Sequence, residues 1–217
     1  MSGATPLLLA SGRDADVFAI DDRRVLRRYR YDLDTAAEAA VMRHVAERGF
    51  PVPAVYRAEG PDLEMERLHG PTMLSACLAG DLSPEEASAT LVELHGRLHE
   101  LPFPGGSGRV LHMDLHPDNV VLTERGPMVI DWTNAREGDP GLDRALTALL
   151  LAMVSLTAFD PLAGLAGACL SPYVAGAPDD PARLLEEVVA LRRQDPNLSA
   201  EEIAALPRAV ALIRSLT

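Results

Sequence analysis

Apolar positions come in short bursts over the first 68 residues and in long helical stripes after them. Val17-Phe18-Ala19-Ile20 and Arg24-Val25-Leu26-Arg27 flank the polar Asp21-Asp22-Arg23, which predicts a hairpin of two short strands. Residues 35–48 place Val41, Met42 and Val45 on one helical face, with Thr35 at the capping position and Gly49 as the stop. Val52–Tyr56 and Leu63–Leu68 read as two further strands. Beyond His69-Gly70-Pro71 the period lengthens. Ser83-Pro84-Glu85-Glu86 is a capping box with proline at the first helical position, and Leu91, Leu94 and Leu98 form the stripe of the helix it opens. Val120-Val121-Leu122 and Met128-Val129-Ile130 form a hairpin turned at residues 124–127. Asp139-Pro140 opens a long apolar helix, whose richest run is Ala145 to Phe159. Two more helices are expected at 181–193 and 199–215, the second with its own capping box, Ser199 and Glu202. The expected architecture is α+β. A small N-terminal β-sheet lobe with one helix occupies residues 1–68, and a larger, mainly helical lobe occupies 69–217.

Composition narrows the function. The chain has 217 residues, 47% of them apolar, and a net charge of −12. That charge disfavours nucleic acid or an anionic membrane as a partner. The run Leu7 to Ala10 is too short for a signal peptide, and Ala145 to Phe159 too short for a spanning helix, so a cytoplasmic protein is expected. Cys77 and Cys169 lie in apolar surroundings without a redox or metal motif. All 20 basic residues are arginine. Any task that other proteins give to lysine must here be filled by arginine or left empty.

Between two strand-like runs stands His112-Met113-Asp114-Leu115-His116-Pro117-Asp118-Asn119, with Ile130-Asp131-Trp132 following. One carboxylate, Asp114, can orient an attacking hydroxyl. Asn119 and Asp131 offer hard oxygen ligands suited to Mg²⁺. His116, two residues past Asp114, can touch a transferred phosphate or brace the backbone. His112 reads as a brace for the turn, and Trp132 as packing beneath it. His95 and His99 stand four apart on a helix, where they either share a metal or form a half-buried face.

This segment resembles the catalytic loop of the protein kinases, and more closely that of the aminoglycoside phosphotransferase and choline kinase branch. There the forms are His-x-Asp-Leu-His-Pro-x-Asn and Ile-Asp-Trp. Gly138-Asp139-Pro140, Asp143, Glu38-Ala39-Ala40-Val41-Met42 and Phe50-Pro51-Val52-Pro53 extend the resemblance over residues 8–150. It implies a bilobal kinase-like fold, with Asp114 as the catalytic Asp and Asn119 and Asp131 as metal ligands; His116 stands beside them as a catalytic candidate by its spacing alone, to touch the phosphate or the acceptor. It puts Arg27, or Arg28 one residue along, in the place of the phosphate-binding lysine, paired with Glu38. It puts Gly12 in the phosphate loop, with a plain turn as the alternative, and Glu66 and Leu68 beside the adenine. The implied cofactors are ATP, with GTP as an alternative, and Mg²⁺. The implied partner is a small-molecule hydroxyl, aminoglycoside-like or amino-alcohol, and a homodimer is an open option.

Two departures keep a rival open. The loop Ser11-Gly12-Arg13-Asp14 has one glycine and lies beside acids, and lysine is absent. Both fit a pseudokinase that binds nucleotide without turnover. A Ser/Thr protein kinase fits less well, because Asp131 leads straight to Asp139-Pro140 with no long activation segment.

Overall fold

The computed structural model describes residues 7–12, 14–157, 161–195 and 198–217. Arg13 of the expected glycine turn, and the Phe159-Asp160 end of the apolar run, lie outside them. Backbone contacts divide the chain into two compact units. One comprises Met1–Gly70 and Val121–Asn134, the other Pro71–Val120 and Ala135–Thr217.

In the first unit, β1 (Leu7–Ser11), β2 (Ala15–Ala19), β3 (Arg24–Tyr29), β4 (Val55–Glu59) and β5 (Asp62–Glu66) form an antiparallel sheet in the order β1-β2-β3-β5-β4. Strand β3 decides the chemistry. Its alternation buries Val25, Arg27 and Tyr29 and exposes Arg24 and Arg28. Helix α1 (Ala36–Ala46) lies on the buried face through Ala39, Met42 and Val45, and it delivers Glu38 there. Thr35 does not cap α1 with its side chain. Its hydroxyl bonds the Asp62 carbonyl at 3.1 Å, while Asp34 accepts the Ala36 N–H at 2.9 Å. Strand β4 starts at Val55, later than the sequence suggests, because Pro51 and Pro53 bring no N–H to a ladder.

The hairpin of β7 (Val120–Thr123) and β8 (Gly126–Val129) corrects the expected boundary at residues 68 and 69. The Val129 N–H bonds the Pro51 carbonyl at 2.9 Å, and buried Trp132 meets Phe50 edge-on at 5.7 Å. Residues 121–134 therefore pack with the sheet rather than with the helices that surround them in sequence.

In the second unit, β6 (Arg109–Leu111) pairs antiparallel with β9 (Arg136–Gly138). The helices are α2 (Met73–Ala79), α3 (Pro84–His99), α4 (Pro140–Ser155), α5 (Ala163–Gly176), α6 (Leu185–Arg193) and α7 (Ala200–Arg214). Both capping boxes form, at Ser83 with Glu86 and at Ser199 with Glu202. Each such cap stabilises its helix by about 1 kcal/mol. Helix α4 is buried nearly all round and packs against α5 and α7. Among the described residues no helix is long and apolar enough to cross a membrane.

Candidate active site

In the first unit the Arg27 guanidinium spans two acids. Nη1 donates to Glu38 Oε1 at 3.1 Å, and Nη2 donates to Asp131 Oδ1 at 2.6 Å and to Thr133 Oγ1 at 3.3 Å. The Tyr29 hydroxyl donates to Glu38 Oε2 at 2.7 Å and also meets the Thr133 hydroxyl, which donates to Asp131 Oδ1 at 3.1 Å. The guanidinium lies 4.8 Å from the centroid of the Tyr29 ring, a cation–π contact. Burial works against the charge on Arg27, but the Asp131 and Glu38 carboxylates outweigh it and hold its pKa above the ordinary value. Burial raises the Glu38 carboxyl, and the opposing pull of Arg27 and Tyr29 does not cancel it. Asp131 has a left-handed backbone, φ 66°. A non-glycine residue there is strained, and such strain concentrates at functional sites. Its side chain is 37% exposed against 5% for Glu38, so of the two carboxylates it is the one open to a ligand.

In the second unit the turn after β6 carries Asp114, His116 and Asn119. Asn119 is buried, and its Nδ2 donates to the Asp114 carbonyl at 2.8 Å and lies 3.4 Å from Asp114 Oδ2. This commits the amide nitrogen and leaves the oxygen as the end that Asn119 offers a cation. His116 accepts the Asp118 N–H through Nδ1 at 3.3 Å, and its Nε2 lies 3.8 Å from Asp114 Oδ1. Just upstream, the Asp143 carboxylate accepts the N–H groups of His112 and Met113 at 2.8 and 2.7 Å. Met113 is the second non-glycine residue with a left-handed backbone, φ 62°. The Thr147 hydroxyl donates to the Leu115 carbonyl at 2.7 Å. Three backbone groups on either side of Asp114 are thus held by side chains of α4.

The sequence candidates fall into two groups, one in each unit. Arg27, Glu38 and Asp131 meet in the first; Asp114, His116 and Asn119 meet in the second. Arg27, not Arg28, reaches Glu38; Arg28 faces the other way and forks onto Asp62 at 2.7 and 2.6 Å. Gly12 lies in the β1–β2 turn, where its N–H bonds the Ala15 carbonyl at 2.9 Å and its carbonyl accepts from Arg30 at 2.8 Å. The neighbouring Asp16 is paired with Arg30 and Ser11. The Glu66 N–H is bonded to the Ala54 carbonyl at 2.8 Å, and its carboxylate holds the Arg125 guanidinium and the Ala54 N–H. Leu68 is half-buried. Sequence reasoning does not single out Tyr29 or Thr133. A signal for Tyr29 exists, since it shares its face of β3 with Arg27 two residues earlier; Thr133 had none.

The model of the phosphotransferase enzyme family matches residues 6–109 and 79–165. Several Salmonella thiamine kinases, that of Salmonella newport (strain SL254) among them, are 54% identical over 35 residues; the match spans 16% of this chain and 13% of theirs. Among solved structures, the chain is similar to aminoglycoside phosphotransferase APH(2'')-Ib with ADP bound (TM-score 0.56, 13% identity, 99% of this chain and 93% of that one). It is also similar to a choline/ethanolamine kinase family protein from Mesorhizobium loti (TM-score 0.56, 17% identity, 98% and 88%). A third likeness is to APH(2'')-IIa in a ternary complex with streptomycin and ATP (TM-score 0.56, 15% identity, 87% and 83%). These likenesses identify the fold as the α+β, bilobal kinase-like one.

Proposed function

The chain belongs to the phosphotransferase enzyme family, and from that premise we propose that it transfers the γ-phosphate of ATP, or GTP, to a hydroxyl of a small molecule. The observation that carries this reading is the hold on the Asp114 turn. Asp143 clamps the two N–H groups ahead of it, and Asn119 ties its carbonyl. A carboxylate fixed in this way can accept the proton of an acceptor hydroxyl. The hydroxyl oxygen then bonds to phosphorus as the bridging oxygen leaves with the nucleoside diphosphate. His116 completes the catalytic pair by steadying Asp114 or the phosphate. In the first unit, Arg27 would turn from Asp131 toward the triphosphate while Glu38 keeps it oriented. Gly12, Glu66 and Leu68 would line the nucleotide. Asn119 and Asp131 would hold Mg²⁺, and their all-oxygen donor set fits that ion. Mg²⁺, when bound, neutralises charge on the phosphate oxygens. We assign nucleotide binding to the first unit, acceptor binding to the second, and the reaction to the cytoplasm, where the triphosphate is supplied.

The acceptor we assign is an aminoglycoside-like or amino-alcohol compound. The names of the similar proteins, which speak of streptomycin, choline or ethanolamine, and thiamine, support this class, each joining a cationic nitrogen to a hydroxyl. In the test, thermal shift with ATP and Mg²⁺ is followed by product detection over a panel of such alcohols. Wild type should be stabilised and turn over. Asp114→Ala should keep the stabilisation and lose transfer by at least about 10³-fold. An active Asp114→Ala variant would falsify the role of that carboxylate. The Arg27–Asp131 pair favours one second reading, a module that binds nucleotide without turnover; stabilisation by ATP with no product across the panel would establish it.

A further inference from the structure

Behind the Asp114 turn runs a chain of buried polar groups for which the proposed reaction has no use. Arg144 on α4 forks onto Asp179, with Nε at 2.6 Å and Nη2 at 2.7 Å from its two oxygens. Its third nitrogen, Nη1, lies 2.8 Å from His99 Nδ1. His99 Nε2 lies 3.0 Å from Asp143 Oδ2. Asp143, fully buried, then accepts the His112 and Met113 N–H groups. The direction of donation is fixed at one end. A guanidinium can only donate, so His99 Nδ1 must accept, and Nε2 carries the ring proton toward Asp143.

We propose that His99 is a positioning residue for phosphoryl transfer: oriented by Arg144 and Asp179, it holds Asp143 in the one placement that clamps the turn carrying Asp114. The proposal rests on the phosphotransferase reading above. Without His99, Asp143 Oδ2 loses its imidazole donor, and the carboxylate can rotate away from the two backbone N–H groups. His95, stacked on His99 at 5.1 Å between ring centroids, closes the other side of the imidazole and is anchored by Tyr173 at 2.9 Å. Ligand atoms of His95, His99 and Asp143 also lie within 4.8 Å of one another, a spacing that a metal could use. The group behind the His99 ring is wrong for one. A metal-bound imidazole gives its other N–H to an acceptor, whereas His99 Nδ1 faces a donor and a positive charge. The cluster is a relay of hydrogen bonds.

The test uses the full chain and two readouts, amide hydrogen exchange over the segment holding His112 to Asp114 and steady-state kinetics with ATP and Mg²⁺. His99→Gln can still donate to Asp143 and accept from Arg144. It should exchange as wild type does and keep kcat within about threefold. His99→Leu can do neither. It should exchange at least about tenfold faster and lose at least about tenfold in kcat, while KM for ATP stays within about twofold. Asp179→Asn, at the exposed end, should move both readouts in the same direction by less, and it carries the test if His99→Leu does not fold. Unchanged exchange in His99→Leu, a His99→Gln variant as impaired as His99→Leu, or an Asp179→Asn variant indistinguishable from wild type overturns the proposal. A wild-type chain without turnover sinks the phosphotransferase reading instead, and the exchange comparison still decides whether His99 holds the turn.

Discussion

The two polar clusters of this chain are built from similar groups, yet they differ in what they leave open. Around Arg27, one cation serves two carboxylates, and one of those, Asp131, stays partly exposed on a strained backbone. Around Asp143, the carboxylate is wholly buried and receives two backbone N–H groups and an imidazole. Burial alone would raise the Asp143 carboxyl, but the His99 hydrogen bond and the neighbouring imidazoles hold it below the usual carboxylate range. A buried charge with every partner in place braces structure. A half-exposed charge whose partner is shared can exchange that partner for a ligand. Similar residues thus acquire opposite tasks from exposure and from the number of competing partners.

The largest way to break the contrast is Asp143→Ala. It strands three donors in the interior and should lower unfolding free energy by about 3–5 kcal/mol, measured by urea denaturation. A loss below about 1 kcal/mol would mean that the clamp is not a structural brace. Next comes pH. Burial drives the His95 imidazole down to about 3, with Asp143 pulling the other way. The unfolded chain therefore binds this proton near pH 6.5 and the folded one only near 3, so stability should fall as pH drops from 6.5 toward 3. The slope is up to about 1.4 kcal/mol per pH unit. Asp143 adds to the loss only below its ordinary value near 3.8, in the same direction. His95→Asn, whose amide falls where Nδ1 meets the Tyr173 hydroxyl, should flatten the slope above pH 4; an unchanged slope there assigns the effect to other groups.

The first cluster should respond in binding rather than in folding. Arg27→Gln should weaken ATP affinity by about 10- to 100-fold, read by calorimetry, and cost folding little, because Glu38 can take up a proton when its cation is removed. The smallest effect is expected at Tyr29→Phe, which removes one hydroxyl between Glu38 and Thr133 and should cost about 1 kcal/mol in thermal unfolding. If Arg27→Gln proved as destabilising as Asp143→Ala, the distinction between the clusters would be lost.

Much of this was legible in the sequence where the signal is local. The capping boxes at Ser83 and Ser199, the β2–β3 hairpin and the α1 stripe are each set by neighbours within four residues, and each forms. The motif from His112 to Asn119 is local too. What was illegible is either non-periodic or long-range. Strand β1 shows exposed leucines in a row without alternation, and β6 and β9 are three residues each and find one another across 27 positions. Helix α2 spans seven residues, too few for a stripe, and α5 carries Pro172 inside it. The place of residues 121–134 beside the sheet depends on Phe50 meeting Trp132, a contact across 82 positions that no pattern announces.

Arg27 addresses Glu38 and Asp131 with separate nitrogens, in a chain that has no lysine. Reagents that acylate amines, including nucleotide-based probes designed to tag an ε-amino group beside the triphosphate, will find no side chain to label here. Dicarbonyl compounds, which condense with guanidines, are the chemistry that can report whether this position is occupied.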